Sequence, residues 1–167
     1  MIERAASERQ PDESIARDEM TNARSWLAML RAGAIYKLDG LTAEQLRWKP
    51  TPTANSLGTL VRHLGLAERL WFRAICAGEP MDMEWRQTMF DPIPDDWSRD
   101  DLVAFYRAEC DAADGAIDAC PSLDEPSRAD VRRTTWRWAM VHMIEETARH
   151  LGHMDITREL LDGQVGR

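Results

Sequence analysis

The chain has 167 residues, 44% of them hydrophobic and 30% charged, with a formal net charge of −8. That length suits one domain, able to bury about two-thirds of its unfolded surface, and the composition excludes long disorder. The acidic balance disfavours nucleic acid and anionic membranes as partners, because phosphate binding concentrates Lys and Arg.

Cys76, Cys110 and Cys120 form no C-x-x-C pair, so no disulfide framework is expected and a reducing compartment fits. The N-terminus has no apolar h-region, and no run of about 18 apolar residues occurs. The expectation is a soluble, cytoplasmic protein.

Residues 1–13 are polar, carry Pro11, and are expected to be a flexible N-terminus ahead of a domain over 14–167. From Ser14 to Leu38 a helical pattern runs through Ile15, Trp26, Met29, Leu30 and Ile35, and it stops at Gly40. Thr42-Ala-Glu-Gln45 is a capping-box sequence and predicts a short turn of helix before Pro50 and Pro52. A second helix starts at Asn55 or Ser56 and continues to about Cys76. Gly78, Pro80, Pro92 and Pro94 then interrupt residues 77–97, a long crossover rich in Met, Trp and Phe90. Trp85 and Trp97 there are candidates for a lid, or equally for a packed loop. The Trp and Met side chains of this crossover are also compatible with a homodimer.

Ser98 caps a third helix to about Ala119, before Pro121. Thr134 or Thr135 caps a fourth, which lasts to about Leu161 and is closed by Gly163. The fold class is all-α: a four-helix bundle with its long connection between the second and third helices. Trp26, Trp71 and Trp138, at helical positions, are expected to fill the core. Gly65 inside the second helix points to close helix packing near His63.

Three of the four histidines lie on the last helix. At about 100° per residue, His142, Glu146, His150 and His153 share an arc of roughly 80°. Glu146 and His150, spaced i, i+4, can reach one point beside the helix. His63 shares its face with Leu60, Ala67, Leu70, Trp71 and Ala74, so it points from an apolar surface. A third ligand from a facing helix would leave coordination positions open, as catalytic metal sites do. Two imidazoles and a carboxylate suit zinc, with nickel or ferrous iron as alternatives. A hydrogen-bonded core histidine and a solvated Glu-x-x-x-His face account for the same residues. His142 and His153 can each be read as a residue supporting a ligand or as a polar surface group.

The run Ser56-Leu-Gly-Thr-Leu-Val-Arg-His63-Leu, the following Glu68-Arg-Leu-Trp71-Phe72, and His142-Met-Ile-Glu-Glu-Thr-Ala-Arg-His150-Leu-Gly-His153 resemble the DinB-like superfamily. That superfamily takes in YfiT-like proteins and mycothiol-dependent maleylpyruvate isomerases. The chain is most similar to its actinobacterial mini-circle-protein branch, which Leu41-Thr-Ala-Glu-Gln-Leu-Arg and Glu159-Leu-Leu-Asp-Gly163 also fit. The resemblance implies a DinB-like bundle in which His63, Glu146 and His150 bind a divalent metal. Many relatives use three histidines; Glu146 departs from that pattern and resembles the maleylpyruvate isomerase branch. His153 stands where other members often carry Gln.

Relatives of known activity couple a metal to mycothiol or bacillithiol. The resemblance therefore implies a thiol-dependent transferase or isomerase acting on an electrophilic small molecule, with Trp71 and His153 contacting the cosubstrate. A metal-dependent hydrolase using Glu145 or His142 as base, and a non-catalytic metal-binding stress protein, are the rival readings.

Overall fold

The computed structural model describes residues 18–52, 55–82, 84–129 and 134–165. The expected flexible N-terminus, 1–13, and residues 14–17 of the expected first helix lie outside them. Helix α1 spans Glu19–Tyr36, and the Asp18 carboxylate caps it by accepting the Thr21 amide at 2.9 Å. The chain turns at Gly40, whose φ of 74° favours glycine. Helix α2 spans Ala43–Arg47, with Thr42 and Gln45 completing the expected capping box.

Helix α3 spans Leu57–Glu68 under a Ser56 cap, and runs without a break into a π-helical segment, Arg69–Cys76. The sequence predicts the whole stretch but not its change of winding. The crossover holds one 3₁₀ turn, Glu84–Thr88. Its far end is fastened by Ile93 in the core and by Arg47, which donates to the carbonyls of Asp95 and Trp97. Helix α4 spans Arg99–Asp118, and α5 spans Trp136–Asp162 from a Thr135 cap to Gly163, at φ 77°.

Helices α1, α3 with its π segment, α4 and α5 form the bundle, and α2 packs beside α3. No strand occurs among the described residues; a single bridge, Pro126 to Thr135, closes the loop before α5. The fold is the all-α bundle with the expected long second connection. No described helix is long and apolar enough to cross a membrane.

The core has two apolar clusters. One holds Leu38, Leu64, Leu102, Tyr106 and Met154; the other holds Leu27, Phe72, Ile117, Trp136 and Met143. His63 lies between Leu60 and Leu64 of the first cluster and Ala67 of the second. Glu146 and His150 lie between Met143 and Met154. The candidate ligands thus stand where the two clusters meet.

Two expectations about packing need correction, while the close helix packing expected at Gly65 is present. The pattern residues Trp26, Met29, Leu30 and Ile35 are only half-buried, while the buried stripe is Leu27, Arg31 and Ala34 of α1, continued by Leu38 just beyond it. Trp138 stays 43% exposed, and its neighbour Trp136 fills the core instead. At Gly65, an added Cβ would come within 2.8 Å of Phe105 on α4, so the close packing there is between α3 and α4.

Arg31 is buried at the centre of its stripe because Glu68 is buried opposite. Its Nε and Nη2 donate to the two carboxylate oxygens at 2.7 Å each, and Nη1 donates to Asp114 at 2.8 Å. Burial pushes the Glu68 carboxyl up, and the guanidinium opposes that rise. Removing one partner of such a pair strands the other. Arg31→Met is expected to lose about 3–5 kcal/mol in urea unfolding, and Arg31→Met with Glu68→Leu to recover most of it. A double variant as unstable as the single one would contradict this account.

Candidate metal centre

His63 projects from α3, and Glu146 and His150 project from α5 one turn apart. All three are buried, at 4%, 9% and 7% exposure. His63 Nε2 lies 2.9 Å from Glu146 Oε1, and His150 Nε2 lies 3.1 Å from the same oxygen. The two imidazoles meet edge to face, with ring centroids 4.9 Å apart. One donor atom from each residue lies within 4.8 Å of the others.

The donor set fits a small divalent cation. Zinc bonds of about 2.0–2.1 Å at tetrahedral angles place ligand atoms about 3.3 Å apart. The present contacts need to open by only a few tenths of an ångström to match that spacing. His63 Nδ1 is buried and has no hydrogen-bond partner among the described residues, so Nε2 is the engaged nitrogen of that ring. Glu146 Oε2 is held by Arg149, which also bonds Glu145 at 3.0 Å. Glu146 therefore offers a single oxygen to the other two ligands.

The electrostatics favour ligand-ready protonation states. Burial works to raise the Glu146 carboxyl, but the hydrogen bond with His63 and the charges of His150 and Arg149 bring it below the ordinary range. Burial, and then the neighbouring His63, push the His150 imidazole down. At neutral pH the first is a carboxylate and the second is uncharged. His153 Nδ1 faces His150 Nδ1 at 3.4 Å, a contact in which one ring donates and the other accepts.

Phe90 of the crossover lies flat on His63, with centroids 4.2 Å apart and planes 18° from parallel. Arg62, next to His63, holds this part of the crossover through Thr88, whose hydroxyl lies 3.1 Å away. The candidate lid residues lie elsewhere: Trp97 packs on Phe105, and Trp85 lies under the Arg69 guanidinium. Phe90 and Arg149 were missed by sequence reasoning. The i+3 spacing from Glu146 could have found Arg149; a loop phenylalanine carries no such signal.

Trp71 and His153 lie on different sides of the ligands. Trp71 packs with Trp138 and His142, at centroid distances of 4.8 and 4.7 Å, and Trp138 stacks on His142 at 4.9 Å. In an unbroken α-helix, Trp71 would stand about 80° round from His63. The wider π-helical turn brings it back towards the His63 face. Burial lowers the His142 pKa, so this aromatic face is uncharged at neutral pH. His153 instead joins His150 in the wall of a cavity of about 330 Å³, opposite Pro50, Asn55 and Leu60. A larger cavity, about 520 Å³, lies at the C-terminal end of α4 against Cys120 and Trp136, and includes none of the expected site residues.

No curated protein matches the chain. The solved structure described as a conserved protein of locus from Enterococcus faecalis has a similar fold, with a TM-score of 0.61. It is 16% identical, and the match covers 85% of this chain and 96% of that one. At that identity the likeness concerns the fold alone. The sequence model of mycothiol-S-transferase, a DinB-like family, matches residues 22–163, which include His63, Glu146, His150 and the layers on either side of them. The chain belongs to the mycothiol-S-transferase family.

Proposed function

We propose that the protein is a metal-dependent S-transferase that joins mycothiol, or a similar low-molecular-weight thiol, to an electrophilic small molecule. The observation that carries this reading is the meeting of His63 Nε2 and His150 Nε2 on one oxygen of Glu146, in a chain of this family. His63, Glu146 and His150 would hold the cation, and the two imidazoles with one carboxylate suit zinc, with nickel or iron as alternatives. A divalent cation bound there lowers the pKa of a thiol, supplying thiolate near neutral pH.

The chain's own residues do the rest. A single carboxylate among three donors leaves one positive charge for a thiolate to neutralise. Arg149 keeps the second Glu146 oxygen occupied, so Glu146 would bind through one oxygen only. His153 orients His150 through the contact between their Nδ1 atoms. Phe90 shields the His63 ring from water. The Trp71, Trp138 and His142 face offers a flat, uncharged surface for the ring portion of the thiol.

The direct test is an assay of metal-stripped and zinc-reloaded protein with mycothiol and a chlorobimane electrophile. S-conjugate is expected only when zinc and thiol are both present. Glu146→Gln is expected to lose bound zinc and conjugation together. Chloride release at the same rate without thiol would mark a hydrolase and contradict the proposal.

Protons compete with a cation for the imidazoles, and a lowered His150 pKa delays that competition. Zinc affinity is therefore expected to hold through neutral pH and to decline only as the pH falls below the ordinary imidazole range. Chelator competition at several pH values measures this. An affinity unchanged down to pH 5 would exclude imidazole ligands.

A further inference from the structure

We infer that the cavity beside His150 receives the electrophile and selects uncharged electrophiles over carboxylated ones. The inference rests on the transferase reading and deepens it. His150 is the candidate ligand in its wall, so the cavity borders the proposed ligand set on that side, next to His153. Leu60, Pro50 and Ile156 give it apolar sides, and Asn55, Thr157 and His153 supply polar groups. At about 330 Å³ it lies near the lower end of small-molecule pockets, enough for one ring with a short substituent.

None of the described residues lining it is Lys, Arg, Asp or Glu. Arg149, Arg158 and Lys37 on the bundle already have anionic partners, and Lys49, exposed next to Pro50, lies outside the lining. Arg149 is paired with Glu145 and Glu146, and Arg158 with Asp162 at 2.7 Å and with the carbonyls of Lys37 and Asp39. Lys37 is paired with Asp155 at 2.7 Å. The Thr157 hydroxyl donates to the His153 carbonyl at 2.8 Å, so it is not free to donate to an incoming anion. A carboxylate entering this space would lose hydration and meet no counter-charge in the lining, and once a thiolate is bound the proposed centre carries no net charge to offset that loss. The net charge of −8 repels it at longer range. An uncharged ring with a reactive carbon suffers neither penalty.

An epoxide illustrates the chemistry. The thiolate sulfur forms a C–S bond to one ring carbon, and the C–O bond breaks with its electron pair left on oxygen. That oxygen takes up the proton equivalent to the one the thiol gave up. Thiol and epoxide become a hydroxy thioether, and nothing else is consumed.

The zinc-loaded protein with mycothiol is assayed against styrene oxide and 4-carboxystyrene oxide. The kcat/KM is expected to favour the neutral epoxide by at least about tenfold. Ile156→Arg, at a position 60% exposed on the cavity wall, is expected to cut that preference at least about tenfold. A second readout needs no turnover: the His153 ring resonances shift with 1-phenylethanol but not with 4-(1-hydroxyethyl)benzoate. Equal shifts, or a preference for the carboxylated epoxide in the unmodified protein, overturn the inference while leaving the transferase reading in place. A shift with the neutral alcohol alone, with neither epoxide turned over, supports the pocket and overturns the transferase reading.

Discussion

A carboxylate buried between helices has to be partnered, and two of the three buried among the described residues, Glu68 and Glu146, have different kinds of partner. Glu68 meets Arg31, a permanent cation, which takes both of its oxygens. Glu146 meets two imidazoles at one oxygen, across a separation of 83 residues from His63. The first pair is saturated and ties α1 to α3. The second joins α3 to α5, but its imidazoles can exchange a proton for a cation. That difference separates a structural ion pair from a candidate metal centre.

Much of the fold follows from local chemistry that can be read residue by residue. The Thr42 and Gln45 box, the Ser56, Ser98 and Thr135 caps, and Gly40 and Gly163 at positive φ mark the helix ends directly. The i, i+4 spacing of Glu146 and His150 gives half of the site, and the apolar face around His63 gives the helix opposite. Other features depend on contacts made across the chain. Arg31 breaks the apolar stripe of α1, and only its pairing with Glu68 makes it a core residue. The same limit applies to Trp136 and Trp138, which point about 200° apart on α5, since which of them meets Phe72 and the core is set by packing across the bundle and not by their type. The stacking of Phe90 on His63 requires the crossover to fold back over α3, which no periodicity encodes.

The π-helical segment connects the fold to the site. It lets the helix that carries His63 also turn Trp71 towards α5, where Trp138 and His142 lie two turns and one turn before Glu146. Between α3 and α5 the structure therefore stacks an uncharged aromatic layer, the cluster of His63, Glu146 and His150, and a cavity with no Lys, Arg, Asp or Glu among its described lining residues. In the proposed transferase reading, thiol and acceptor need separate places on either side of the reacting sulfur, and that order of layers supports the reading.

In the proposed reading His63, Glu146 and His150 form one divalent-metal site with room for a thiol. X-ray absorption at the zinc edge, on protein loaded with one equivalent of zinc, tests this. The expected shell is two imidazole nitrogens and a carboxylate oxygen at about 2.0–2.1 Å, with a sulfur at about 2.3 Å once mycothiol is added. A zinc shell without imidazole scattering, or one indifferent to Glu146→Gln and to the thiol, would contradict it.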